Sequence, residues 1–255
     1  MIKLNYKVRG EGFPVLILHG IFGMLDNWNS FGKRLSETNK VFLIDQRDHG
    51  RSPHTEAFSY PILAQDIFDF LEEHQLDKVH LIGHSMGGKA VMEFALNHPE
   101  RVQKMVVVDM GVKSYPGGHE VILNALANVP LEKINSRKEA EAYLEVDIEE
   151  KGVRLFLMKN LTRSKEGAYE WKINLPLLTQ SYADLMAHDL RGRTPKDVDS
   201  LFIIGQKSGY ILTEDHSDIL KLFPKSSFST LDAGHWVHAE KPNELLQQIN
   251  TFFAI

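Results

Sequence analysis

The chain has 255 residues, 43% hydrophobic and 25% charged, with a formal net charge of −5; these proportions exclude a disordered chain and the basic footprint of a nucleic-acid binder. It has no cysteine, which excludes a disulfide framework, a thiol nucleophile and zinc–thiolate sites. Residues Met1-Ile2-Lys3-Leu4-Asn5-Tyr6 carry no secretory pattern and no apolar run approaches the roughly 20 residues of a membrane span, so a cytoplasmic protein is expected.

In chain order, short runs rich in Val, Ile and Leu occur at Val15–Leu18, Val41–Ile44, Val79–Ile82, Met105–Val108 and Leu201–Ile204, each ending at Gly, Asp or His. Continuous runs of this length suit strands buried on both faces of a parallel sheet. Helical patterns lie between them at Trp28–Leu35, Ile62–Glu73 and Gly87–Leu96. The alternation predicts an α/β protein with an open sheet and right-handed crossovers. The rhythm breaks after Asp109. From about Lys113 to Leu190 no buried strand is expected, and Ser136–Glu150, Val153–Leu161 and Leu175–Leu190 read as helices. Ser136 and Glu139 stand in capping-box spacing. Residues 113–190 are therefore expected to form a helical cap between two parts of one core, 1–112 and 191–255. An insertion that leaves a sheet at the C-terminal ends of its strands sits over the usual ligand crevice, so this one is expected to act as a lid. The strands resume at 201, and Ser227–Leu231 reads as the last of them.

Gly83-His84-Ser85-Met86-Gly87-Gly88 follows one predicted strand and opens a predicted helix. This is G-x-S-x-G in the strand–turn–helix setting of a nucleophile elbow. The turn is sharp, and glycine at 83 and 87 makes room for it, which leaves Ser85 exposed at the tip beside a helix N-terminus that favours developing negative charge. A serine nucleophile needs a base, and the base needs an orienting carboxylate. Of the 12 histidines, His235 in Gly234-His235-Trp236 follows the last predicted strand and can reach the elbow. His238 competes, but its place on the way into the final helix suits packing or capping. The other histidines, including His98, His119 and His216, read as surface residues. At the first strand's end, Leu18-His19-Gly20-Ile21-Phe22-Gly23 forms a glycine-bearing turn. The N–H of Ile21, or else that of Phe22, together with the N–H of Met86, can form an oxyanion hole. His19 is expected to brace this loop.

These pieces, in this order and across essentially the whole chain, resemble the α/β-hydrolase family: His19-Gly20, Asp45-Gln46-Arg47-Asp48-His49-Gly50-Arg51-Ser52, Gly83–Gly88 and Gly234-His235. The resemblance implies the α/β-hydrolase fold, a mostly parallel twisted sheet covered by helices on both faces. It also implies that Asp45–Ser52 is a structural turn. In most of the family the acid follows the strand after the insertion, but there this chain has Ser208. A subset places the acid at the end of the strand before the insertion, which is Asp109 here; Asp215 is the alternative. Ser208 is a candidate fourth member beside the histidine or its carboxylate. Closer details resemble a group of small bacterial esterases and their ABHD-type relatives: Asp26-Asn27, Glu170-Trp171-Lys172-Ile173-Asn174, and Gly234-His235-Trp236-Val237-His238-Ala239-Glu240-Lys241-Pro242. That group hydrolyses carboxylic esters and, in some members, acyl-CoA thioesters. The resemblance thus implies a small-molecule ester or thioester substrate and no cofactor or metal. Tyr115, His119, Trp171 and Leu178 are the candidates for the acyl pocket, so His119 carries two readings. A carbon–carbon bond hydrolase, a perhydrolase and a non-catalytic receptor remain as alternatives on the same residues.

Overall fold

A computed structural model describes residues 2–254. The chain runs through β1 (Tyr6–Arg9), β2 (Pro14–Leu18), α1 (Asn29–Leu35), β3 (Lys40–Ile44), α2 (Tyr60–Glu73), β4 (Val79–His84), α3 (Met86–Asn97) and β5 (Val102–Val108). Next come α4 (Glu120–Ala127), α5 (Arg137–Glu145), α6 (Lys151–Leu157), β6 (Leu161–Arg163), β7 (Tyr169–Trp171) and α7 (Leu175–Ala187). The sheet resumes with β8 (Ser200–Gly205), α8 (His216–Leu222) and β9 (Ser226–Leu231), followed by α9 (Val237–Glu240) and α10 (Pro242–Phe253).

Seven strands form one sheet in the order β1-β3-β2-β4-β5-β8-β9. All its pairs are parallel except β1 with β3. From β2 the chain steps outward to β3, then returns to the other side of β2 with β4. That reversal opens a crevice beyond the carboxyl ends of β2 and β4, where open α/β sheets bind ligands. The register brings those ends level, with Leu18 beside Gly83, His84 beside Val108 and Gly205 beside Leu231.

Alternation along each strand feeds two apolar layers. On β2, Val15 and Ile17 pack with α1 and α10, while Leu16 and Leu18 pack with α2 and α3. Both faces are covered, as the unbroken apolar runs require. β1 escapes a reading from such runs because it is a short antiparallel edge strand that is mostly exposed.

Between β5 and β8 the chain is largely helical. Ser136 caps α5, its hydroxyl accepting the Glu139 N–H at 3.2 Å. The predicted helix Val153–Leu161 is shorter: α6 ends at Leu157, a single 3-10 turn follows, and Leu161 opens the β6–β7 hairpin. Strands of three residues are too short to show a periodicity. The segment is tied to the rest at several points. The Lys89 ammonium, buried on α3, donates to the carbonyls of Val112 at 2.9 Å, Lys113 at 2.6 Å and His188 at 3.1 Å. The Asn174 side chain donates to Asp48 Oδ1 at 2.9 Å, and its backbone N–H donates to the Asp48 carbonyl at 2.9 Å.

Candidate active site

The tip of the elbow is forced by close contacts. A Cβ on Gly83 would lie 2.2 Å from the Gly87 carbonyl oxygen, and one on Gly87 would lie 2.4 Å from the Leu18 carbonyl oxygen. No larger residue fits where the strand and helix cross. Ser85 between them has a φ of 52°, in the left-handed region that non-glycine residues rarely adopt. Its N–H donates to the Val108 carbonyl at 3.1 Å, and its carbonyl accepts the Lys89 N–H at 3.0 Å. The strain is therefore held by β5 on one side and α3 on the other.

Asp109 and His235 meet across 126 residues of sequence: His235 Nδ1 lies 2.8 Å from Asp109 Oδ2. A carboxylate can only accept, so Nδ1 carries the proton and Nε2 keeps a lone pair. The other oxygen, Asp109 Oδ1, accepts the Gly205 N–H at 2.9 Å. Asp109 is fully buried with φ 51°, so β5 ends in a strained turn that aims the carboxylate at β8 and the His235 loop. The rival Asp215 is engaged elsewhere, with Lys113 Nζ at 2.6 Å and the Leu212 N–H at 2.8 Å.

Ser85 and His235 line one cavity of about 110 Å³ together with Gly20, Ile21 and Phe22. Among the described residues no hydrogen bond joins Ser85 Oγ to His235; such contacts are often long before substrate binds. A second, narrower space of about 10 Å³ lies at Ser85 as well, lined by Ile21, Met86, Tyr60, Tyr115 and Tyr210. Met86 opens α3, so its N–H has no partner within the helix. Neither Ile21 nor Phe22 spends its N–H on another group among the described residues. The Gly23 N–H closes a turn onto the Gly20 carbonyl at 3.0 Å, and Phe22 sits in that turn at φ 61°.

Histidines brace the surroundings. His19 Nδ1 donates to the Gly20 carbonyl at 2.8 Å while Nε2 accepts the Gln46 N–H at 3.1 Å, which fixes its tautomer and the loop. Burial pushes its pKa down to about 4. His84 Nε2 donates to the His235 carbonyl at 2.9 Å, and burial holds His84 well below the ordinary histidine range. His238 packs as expected, stacked on Trp28 with centroids 4.4 Å apart, and burial lowers it to about 3. Both rings also reach the cavity wall. The Asp45–Ser52 segment forms the structural turn expected of it: Asp45 Oδ1 accepts the Leu25 N–H at 2.7 Å and Oδ2 the Arg51 N–H at 2.9 Å. Among the described residues no cluster of three or more His, Asp or Glu side chains is gathered to hold a metal ion. Nor is any helix long and apolar enough to cross a membrane.

Three expectations need correction. Ser208 does not touch His235 or Asp109; its hydroxyl accepts the Tyr210 N–H at 3.2 Å and closes a local turn. Trp171 and Leu178 do not line either space at Ser85. The Trp171 indole N–H donates to the Leu126 carbonyl at 3.2 Å, and Leu178 is fully buried in the apolar cluster that runs from the sheet and α3 into the inserted segment. His119 is a wall residue rather than a surface one: it borders both spaces, and its Nδ1 lies 2.9 Å from the Tyr182 hydroxyl. Tyr115 borders the narrow space. The wall residues that a reading of the sequence missed include Val153, Phe156 and Leu157 on α6, and Trp236. The i, i+3, i+4 spacing on α6 was the available signal for one apolar stripe, although such a stripe does not say what it faces.

Residues 14–242 match the alpha/beta hydrolase fold family. Over 98% of this chain and 99% of the relative, the sequence is 35% identical to Esterase YbfF of Escherichia coli (strain K12). It is 36% identical to the sn-1-specific diacylglycerol lipase ABHD11 of Mus musculus, over 94% of this chain and 80% of that one. A solved structure described as a marine microorganism esterase superimposes with a TM-score of 0.96 at 37% identity, covering 99% of this chain and 100% of that one. The chain belongs to the alpha/beta hydrolase fold family.

Proposed function

We propose that this protein is a serine hydrolase of carboxylic esters, with Ser85 as nucleophile, His235 as base and Asp109 as the carboxylate that orients the base. The observation that carries this reading is the 2.8 Å contact between a buried Asp109 and His235, beside a strained Ser85 that opens on the same cavity. Nδ1–H is held by Asp109, so Nε2 is free to take the Ser85 proton as Oγ attacks the acyl carbon. The carbonyl electrons move onto oxygen, and the N–H groups of Ile21 and Met86 receive them, with Phe22 the second choice for the first donor. His235 returns the proton to the leaving alkoxide as the C–O bond breaks. A water then loses its proton to His235 and attacks the acyl-enzyme. Release of the acid restores Ser85, and no step calls on a cofactor.

The core is residues 1–112 and 191–255, and residues 113–190 form the cap that closes over the site. Support comes from α6, which contributes Val153, Phe156 and Leu157 to the cavity wall, and from Asn160, whose side chain donates to the Phe22 carbonyl at 2.8 Å. The small apolar cavity favours short- to medium-chain acyl groups. A coenzyme A leaving group would want cations for its phosphates. The open groove beside Tyr115 is instead lined by Glu120 and neutral residues such as Asn124 and Thr179, so the ester reading is preferred to the thioester.

The test is hydrolysis of p-nitrophenyl esters from acetate to palmitate, in parallel with acetyl-, malonyl- and palmitoyl-CoA, using Ser85→Ala as the blank. Ser85-dependent turnover of the shorter esters is the expected result. Better turnover of the CoA esters would move the assignment to a thioesterase. No Ser85-dependent turnover on either set would leave carbon–carbon bond hydrolysis, peroxide-dependent acyl chemistry or ligand sensing.

A further inference from the structure

We infer that Tyr210 is a positioning residue, stacked on the ring of His235 so that it fixes the ring plane and stabilises the imidazolium formed during turnover. The inference rests on the reading of His235 as the base. The Tyr210 and His235 rings lie 4.0 Å apart between centroids at 16°, a face-to-face stack. A cation on one ring so placed is attracted by the electron-rich face of the other.

The stack is held from both ends of the Tyr210 backbone. Its N–H donates to Ser208 Oγ at 3.2 Å, and its carbonyl accepts the Tyr115 hydroxyl at 2.8 Å. That same hydroxyl accepts the Gly111 N–H at 2.8 Å, which ties the arrangement to the loop after Asp109. One chain of contacts therefore fixes both neighbours of His235, the carboxylate on Nδ1 and the ring on its face. Ser208 acts on the histidine through Tyr210, one step removed from the place first expected for it. Burial pushes the Tyr210 phenol up to about 12, so the ring is neutral at working pH and offers a π face rather than a charge.

Asp109, fully buried and hydrogen-bonded to Nδ1, supplies the anionic part of the stabilisation, and the stack adds to it on the face of the ring. His84 at the end of β4, His238 on α9 and His119 before α4 also approach, and burial holds each below the ordinary histidine range. A second positive charge beside the imidazolium is thereby avoided. The stack also obstructs rotation of the ring, which would take Nδ1 off Asp109 and Nε2 away from Ser85.

The experiment compares the parent with Tyr210→Phe, Tyr210→Leu and pentafluorophenylalanine at 210. The last keeps the shape of the stack and reverses the ring quadrupole. Two readouts are taken: the NMR titration of the His235 ring, assigned by its loss in His235→Asn, and the pH dependence of kcat and KM on p-nitrophenyl acetate. Tyr210→Phe is expected to restore the parent titration and a kcat within about twofold of it. In the leucine and pentafluorophenylalanine variants, the His235 titration and the acid limb of kcat/KM are expected to move down by about 0.5 to 1 on the pH scale. Their kcat should fall about threefold to tenfold, with KM moving less. An unchanged titration in both, or a change in KM alone, would reduce Tyr210 to a wall of the narrow pocket and overturn the inference. If leucine at 210 impairs folding, the phenylalanine and pentafluorophenylalanine pair decides, because both preserve the shape. If no protein in the set turns over any ester, the reading of His235 as base fails, while the titration still decides the stack.

Discussion

Asp109 has both carboxylate oxygens committed, one to His235 and one to the Gly205 N–H, and no exposure to water. An amide at this position keeps the shape but offers an N–H where an acceptor is needed, so the His235 ring loses the tautomer that leaves Nε2 free. Asp109→Asn is expected to lower kcat on a short ester on the order of 10⁴-fold, as the equivalent change does in a serine protease. Asp215→Asn is the counter-experiment. It breaks the 2.6 Å ion pair with Lys113 and is expected to lower the melting temperature while leaving kcat within a few-fold. The reverse pattern would move the acid to Asp215. The proposed nucleophile and base, Ser85 and His235, stand out in the sequence because short motifs beside strand ends carry them. The proposed acid, Asp109, stands out only by elimination and resemblance, since an Asp at a strand end has a common structural use. Tyr210 was invisible, because a stack across the fold between residues 210 and 235 leaves no local pattern. Trp171 and Leu178 misled for a related reason: a large apolar residue in a cap has the same look whether it faces a cavity or its own core.

At the scale of elements, α3 carries Ser85 at its N-terminal edge and grips the inserted segment with its buried face. Lys89 holds the carbonyls of Val112 and Lys113 where the segment leaves the core, and that of His188 where it returns. One turn on, Glu93 accepts from Arg193 at 2.7 Å and pairs with His188 at 3.0 Å. The two stems of the insertion are thus pinned to α3 by residues at i and i+4, which share a face. Lys89→Met keeps most of the apolar stem but leaves three carbonyls without their charged donor. Each buried acceptor so left costs about 1–3 kcal/mol, with incomplete additivity, and 1 kcal/mol is about 2–4 °C for a chain of this size. A fall in melting temperature of at least about 5 °C is expected by calorimetry, with amide exchange rising first at 112–115 and 186–190. A protein as stable as the parent, with unchanged exchange there, would rule out the clamp. The sequence shows, in the loss of buried-strand runs after Asp109, that the sheet is interrupted there, between β5 and β8. It did not reveal α4 or the β6–β7 hairpin. α4 has eight residues and the two strands three each, and tertiary packing rather than propensity fixes elements that short.

Across the whole molecule, the buried histidines make stability depend on acid. Burial lowers His19 and His80 to about 4 and His49 and His238 to about 3, and holds His84 well below its ordinary value. In the unfolded chain each titrates near 6.5. Between that value and the folded one, the unfolded state binds more protons, so stability rises with pH through the interval and falls as pH drops below about 6.5. Each such group contributes at most about 1.4 kcal/mol per pH unit there. The melting temperature is therefore expected to be near its plateau above about pH 7 and to decline steeply toward pH 4. Two acid limbs must be separated. One belongs to the proposed reaction and reverses at once on return to neutral pH. The other belongs to the fold and tracks the loss of tertiary structure. His80 offers a way to tell them apart. It lies on β4 away from Ser85, stacked on Phe253 with centroids 4.1 Å apart, and its Nδ1 has no hydrogen-bond partner among the described residues. His80→Leu removes one proton-binding group from the unfolded state's advantage without touching the site. The variant is expected to show a shallower fall in melting temperature between pH 6.5 and 4 than the parent, with kcat at pH 7 and the reversible limb unchanged. Parallel melting curves would mean that His80 is protonated in the fold as readily as in the open chain, and the acid sensitivity would then rest on the other buried histidines.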